Sequence, residues 1–280
     1  MFRTQFAQRL SRLEKNHKIL TSYVCNKEMV ITRFNILLSN LQIKIPVGQD
    51  LVRIGPTSDG GYVLANNFKE ISAVISLGVG KNVDIEMYFA NLGKNILLFD
   101  GTITNLPKNH KKFNFFNSNV YGTSTSSREK DSEILVNDIF SYYLKNLFKD
   151  LVTIPSNLEV LFFVDIEGSE YDLLINLNRA NLEVCQQMTV EFHDIFKEIT
   201  SSNPKIFECL AKLHETHELI SAHGNNYGAA IQIDGADYPD VLETTWMRKD
   251  AAEFVNGVNN FNPRLNKPNN PGTPDLVLDW

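Results

Sequence analysis

From Phe6 the positions Phe6, Leu10, Leu13, His17, Leu20 and Val24 recur at alternating steps of four and three, the seam of an amphipathic helix. The spacing predicts a helical arm over residues 1–45. Whether that arm packs on its own domain or forms a homodimer with a second copy stays open, because the heptads are few. After Pro46 the period changes. Leu51-Val52-Arg53-Ile54 and Gly61-Tyr62-Val63-Leu64 are short β-prone runs about the turn Ser58-Asp59-Gly60-Gly61, and the main domain, residues 46–250, is predicted to begin here. Apolar runs at 73–77, 95–99, 113–120, 160–164, 187–192 and 218–222 then alternate with helical stretches. Such alternation predicts a mostly parallel sheet with helices on both faces. The amphipathic stretch 134–148 reads as a crossover helix and 241–249 as a last strand. Residues 251–280 read as an extended tail, rich in Asn and Pro from 259 onward, whose Leu276-Val277-Leu278 could dock.

At 280 residues, 43% of them hydrophobic and 21% charged, the chain can bury the core of one α/β domain, and wholesale disorder is excluded. A net charge of −6 supplies no broad positive field for a phosphate backbone, so no nucleic-acid partner is expected. Cys25, Cys185 and Cys209 are odd in number and far apart, which indicates neither a disulfide framework nor a zinc site and fits a reducing cytoplasm. No apolar run is long enough to span a bilayer.

The run 73–77 leads into Gly78-Val79-Gly80, a turn suited to close backbone approach by a nucleoside ligand. A dinucleotide fingerprint would place a third glycine where Val83 stands, so a ligand without phosphates, such as S-adenosylmethionine, is favoured. The next run ends in Asp100, about twenty residues past the glycines, where a carboxylate can accept from both ribose hydroxyls. A turn role before Gly101 is the plainer reading, and a nicotinamide-dependent oxidoreductase would use the same Asp.

The run Leu161-Phe162-Phe163-Val164 delivers Asp165-Ile166-Glu167-Gly168-Ser169-Glu170-Tyr171 at its carboxyl end, where open α/β sheets bind ligands. Carboxylates gathered there need a cation, a donor or a substrate hydroxyl, although Glu170 is also placed to cap the next helix. Glu191 and His193 share one side of their strand. Asp165, Glu191 and a nearby imidazole have the ligand types for a divalent cation, Mg or Mn, and equally for a plain hydrogen-bonded network. His223, Asn225, Asn226 and Tyr227 lie on a Gly-flanked loop that could close over a substrate. His214 and His217 read as surface or helix-end residues.

These residues resemble the FkbM family of S-adenosylmethionine-dependent methyltransferases. The likeness lies in Val164-Asp165-Ile166-Glu167-Gly168-Ser169-Glu170, in Arg53-Ile54-Gly55 with Asp59-Gly60-Gly61-Tyr62, and in Gly78-Val79-Gly80 and Asp100. It extends to Glu191-Phe192-His193 and to His223 with Asn225 and Asn226, spanning about residues 51–250. The resemblance implies a Rossmann-like class I methyltransferase fold, with a seven-stranded, mostly parallel sheet whose last strand is antiparallel. It implies a methyl donor held by Asp59, Tyr62, Gly78, Val79, Gly80, Asp100, Gly101 and Asn119. Catalysis would fall to Asp165, Glu167 and His193, a cation to Asp165, Glu191 and His223, and the acceptor to Asn225, Asn226 and Tyr227. The acceptor would be a hydroxyl of a sugar or nucleotide-sugar, and His193 or His223 the base. Two rivals are a nicotinamide-dependent oxidoreductase and a non-catalytic scaffold that binds partners through the 6–24 seam.

Overall fold

The computed structural model describes residues 27–123, 133–148, 158–233, 236–257 and 264–278. Its elements in chain order begin with α1 (Lys27–Asn40), β1 (Lys44–Pro46), β2 (Leu51–Ile54), β3 (Tyr62–Ala65), β4 (Ala73–Leu77), α2 (Asp84–Asn91) and β5 (Asn95–Phe99). There follow β6 (Phe113–Phe116), β7 (Asn119–Tyr121), β8 (Glu133–Leu135), α3 (Val136–Asp138), a π-helical stretch (Ile139–Leu144), α4 (Lys145–Leu147) and β9 (Val160–Val164). The rest are α5 (Glu170–Asn176), α6 (Arg179–Leu182), β10 (Cys185–Phe192), α7 (Ile195–Thr200), α8 (Lys205–Thr216), β11 (His217–Gly224), β12 (Ala230–Ile233), β13 (Ala236–Pro239), β14 (Leu242–Arg248) and β15 (Phe254–Asn256).

Seven strands form the central sheet in the order β11-β14-β10-β9-β4-β5-β6. The pairings β4–β5, β4–β9, β5–β6 and β9–β10 are parallel, whereas β14 runs antiparallel to both β10 and β11. Every residue of β4 and of β9 is buried, as expected of strands covered on both faces. The side chains divide by period two: Ala73, Ile75 and Leu77 join the core under α5, α7 and α8, while Val74, Leu161 and Phe163 join the opposite core under α2 and the β2–β3 hairpin. The mixed α/β architecture with a mostly parallel sheet is therefore as the sequence pattern predicts, and the seven strands are the number that the resemblance implies.

Three points are decided among the described residues: the first and third were open in the sequence, and the second changes an expectation. First, α1 belongs to the domain: Val30, Phe34 and Leu37 are buried, Phe34 packs on Tyr238 at 4.6 Å and on Phe196 at 5.8 Å between ring centroids, and β1 pairs with β15. The 6–24 seam lies outside the described residues. Second, the run 113–120 is two strands, because Ser118 N–H closes a turn on the Phe116 carbonyl at 2.9 Å; β7 then pairs with β8, which takes the start of the predicted crossover helix. Third, residues 264–278 form a docked strap. Leu278 is 1% exposed, Leu276 bridges to Gly224, and Asn226 Nδ2 donates toward the carbonyls of Asn270, Thr273 and Pro274 at 3.0–3.2 Å. No helix of the described residues is long and apolar enough to cross a membrane.

Candidate active site

At the carboxyl ends of β4, β5 and β9 lies a cleft of about 410 Å3. Gly78 makes it possible. Its φ is +77°, and a Cβ there would stand 1.6 Å from the Asp165 carbonyl oxygen, so only glycine lets the β4 turn lie against the end of β9. That contact places the glycine turn and the acid motif on one wall: Gly78, Val79 and Gly80 line the same cleft as Asp165 and Glu167. Asp59, Tyr62, Asp100 and Asn119 line it too. Gly101 does not; it lies where a Cβ would strike the Asn119 side chain at 2.4 Å, so its smallness serves the packing of Asn119.

Asp100 shapes the turn directly. Oδ2 accepts from the N–H groups of Val79 and Gly80 at 3.0 and 2.8 Å, and Oδ1 from the Thr102 N–H and hydroxyl at 2.7 and 2.6 Å. Burial pushes its carboxyl up, but the Thr102 hydroxyl and the three N–H groups outweigh burial and hold it below the usual carboxylate range. Four donors fill the roughly four acceptor positions of a carboxylate. A ribose diol reaching Asp100 would therefore displace one of these donors.

The charge of the cleft is one-sided. Six carboxylates line it, those of Asp59, Asp84, Glu86, Asp100, Asp165 and Glu167, against the single basic side chain of Lys81. Glu86, absent from the sequence reading, is buried on α2 and accepts from the Ser76 hydroxyl at 2.5 Å. Its sequence signal is an acid on an otherwise apolar helical stripe with Ile85, Phe89 and Ala90.

Beside the cleft stands His193. Its Nδ1 lies 2.9 Å from Glu170 Oε1, which also accepts from the N–H groups of Ile166 and Gly168 at 3.1 Å each. Its Nε2 faces Glu167 and Glu191 at 3.7 Å and Asp165 at 3.8 Å. Burial alone would lower the imidazole; the hydrogen bond and charge of Glu170, with the charges of Glu191 and Asp165, outweigh it and raise the ring to about 10. Desolvation drives Asp165 the other way from a surface acid, up to about 7, with His193 opposing and Glu167, Glu170 and Asp59 adding to it. Burial, reinforced by Asp165 and Glu243, also raises Glu191 well above its ordinary value. The two non-glycine residues of positive φ among those described, Glu167 and Asp194, flank this cluster. Glu170 is more than a helix cap: it is 0% exposed and fixes both the acid loop and His193.

The remaining predicted residues divide. Glu191 accepts from the Tyr62 hydroxyl at 3.3 Å and from Asn225 Nδ2 at 2.7 Å, so Asn225 holds an acid beside the cluster. Donor atoms of Asp165, Glu167 and His193 all lie within 4.8 Å of one another, close enough for one metal ion to span them; of the expected set Asp165, Glu191 and His223, the imidazole of His223 is not in this group. His223 stands between Glu243 at 3.0 Å and Asp275 at 2.9 Å, joining β14 to the strap. Asn226 is committed to the strap carbonyls, and Tyr227 is 56% exposed on the adjoining loop; neither lines the cleft. From the strap, Asn269 donates to Asp59 at 3.1 Å and to Glu243. His214 Nε2 donates to the Asn40 carbonyl at 2.8 Å, while His217 is buried. No known family model matches this chain, and no curated protein matches it at a significant level.

Proposed function

We propose that this chain is an S-adenosylmethionine-dependent O-methyltransferase of the FkbM type, acting on a hydroxyl of a sugar or nucleotide-activated sugar. One observation carries the reading: the glycine turn and the acid motif Asp165–Glu167 share a wall, with His193 beside it, in a cleft whose lining carboxylates outnumber its lone lysine six to one. A cationic nucleoside ligand is attracted to such a field, whereas the pyrophosphate of a dinucleotide is repelled by it. The antiparallel placement of β14 at one side of the sheet is in keeping with the same family.

When bound, the sulfonium supplies an activated methyl group for in-line displacement, and the gain comes mostly from positioning. The chain's own part is to hold the acceptor hydroxyl and take its proton. Asp165, raised to about 7, is a carboxylate whose basicity is matched to a neutral medium. His193, raised to about 10, is protonated there and has no lone pair to offer; it orients Asp165 and the acceptor as a donor. Glu170 keeps the ring in place through Nδ1. A divalent cation, Mg or Mn, would be held by Asp165 and Glu167 and, in place of the ring's Nε2 proton, by His193, with Glu170 on the second ring nitrogen in the manner of a metal-bound histidine; it would supply the positive charge that makes the acceptor alkoxide accessible near neutral pH.

The test is titration calorimetry with adenosylmethionine against NAD, followed by transfer to a panel of nucleotide sugars with and without chelator. Adenosylmethionine binding and a mass gain of about 14, the replacement of H by CH3 at the acceptor, are the expected results. Binding of NAD without adenosylmethionine would overturn the proposal.

A further inference from the structure

Below the glycine turn lies an acid that the transfer step does not use. Glu86 is 6% exposed, yet it lines the cleft, as does Ser76. A buried carboxylate is costly unless it is paired, and the other buried acids here have partners. Glu170 has His193 and two N–H groups, Glu243 has His223 and Asn269, and Asp100 has four donors. Around Glu86 the influences are burial, the Ser76 hydroxyl, its own backbone N–H and the like charge of Asp84. No cation stands among them. Burial therefore dominates and raises its carboxyl.

An acid so placed, opening on a cavity, is matched by a ligand group that brings both positive charge and N–H donors. We propose that Glu86, oriented by Ser76, receives the α-ammonium group at the amino-acid end of the methyl donor. This rests on the donor reading given above. A sulfonium carries no hydrogen to donate, whereas an ammonium has three, so the amino-acid end is the part of the ligand that satisfies Glu86. Ribose hydroxyls are neutral and leave the buried charge unbalanced. Lys81 stands five residues before Glu86 on the same turn-to-helix segment and lines the same cleft, which gives the α-carboxylate of a zwitterion its own counter-charge.

Calorimetry on the full chain with three ligands tests the assignment: adenosylmethionine, adenosylhomocysteine, which keeps the ammonium and loses the sulfonium charge, and methylthioadenosine, which lacks the amino-acid end. Glu86→Gln is expected to weaken the first two by about 10- to 100-fold, the range of a charge-assisted hydrogen bond, and to leave methylthioadenosine unchanged. Ser76→Ala should act in the same direction with a smaller loss. Glu86→Asp, which keeps the charge and shortens its reach, covers the case in which Glu86→Gln fails to fold, and is expected to give an intermediate loss confined to the same two ligands. An equal loss for all three ligands would mean that Glu86 only supports the turn, and no loss would mean no contact; either overturns the assignment while the donor reading stands. Wild-type protein that binds none of the three overturns both.

Discussion

His193 sits where one ring nitrogen is fixed and the other looks into three carboxylates, so its charge is set by neighbours from strand β10, the loop after β9 and the start of α5. Replacing Glu170 with Gln removes the first and largest of the supporting interactions. The ring is then expected to titrate at least one unit below about 10, read by NMR of the imidazole, with methyl transfer falling about 10-fold or more as the acid loop loosens. An unchanged titration would assign the raised basicity to Glu191 and Asp165 instead. At Gly78 the constraint is steric. Gly78→Ala must relieve a 1.6 Å contact with backbone at a positive φ, and a loss of about 4 kcal/mol or more, or insoluble protein, is expected in a denaturant titration. Wild-type stability in that variant would mean that the β4 turn and the end of β9 do not touch.

At the scale of elements, the strap 264–278 is the part whose fixing is least local. It is tied through His223 and Asn226, on one stretch of chain, and through Asp59 on another. His223 lies between two carboxylates; burial lowers it, but Glu243 and then Asp275 reverse that and raise it. A raised imidazole contributes stability that is complete below its unfolded value and is lost as pH rises through the folded one, so the strap is held best on the acid side of neutrality. Asp275→Asn is expected to remove about 2 kcal/mol at pH 6 and to speed hydrogen exchange across residues 266–278 relative to wild type. Equal exchange in both proteins would show that Asn226 and the Leu278 contact hold the strap unaided.

For the whole molecule, acid sets one limit of stability through a residue far from the cleft. His217 is 0% exposed, with Nε2 2.8 Å from the Cys185 carbonyl and Nδ1 2.7 Å from the Thr216 hydroxyl. Burial, opposed by the Cys185 carbonyl and aided by the charge of Arg248, lowers its ring to about 4. Such a group contributes stability in full above about 6.5 that is lost as pH falls through the folded value, a loss of about 3 kcal/mol at about 1.4 kcal/mol per unit. Urea titrations of wild type and His217→Gln at pH 7, 5 and 4 should give stability-against-pH slopes that diverge, adding up to that amount by pH 4. Parallel slopes would place the acid transition elsewhere.

Much of the frame could be read from the chain alone because the backbone imposes its own periods. A strand covered on both faces needs a nearly continuous apolar run, so β4, β5 and β9 show at 73–77, 95–99 and 160–164 without any knowledge of their neighbours. The turn after β4 and the acids after β9 follow at their ends. Which polar groups meet is a different matter, since it depends on distances between segments far apart in sequence. Sequence could not say that His223 would face Asp275 rather than Asp165, that Asn226 would hold the strap, that Glu86 would be turned under the cleft, or that α1 would close the core. Hydrophobic burial is a property of one element's own pattern, whereas an ion pair or a shared cavity exists only once packing has brought two elements within a few ångströms.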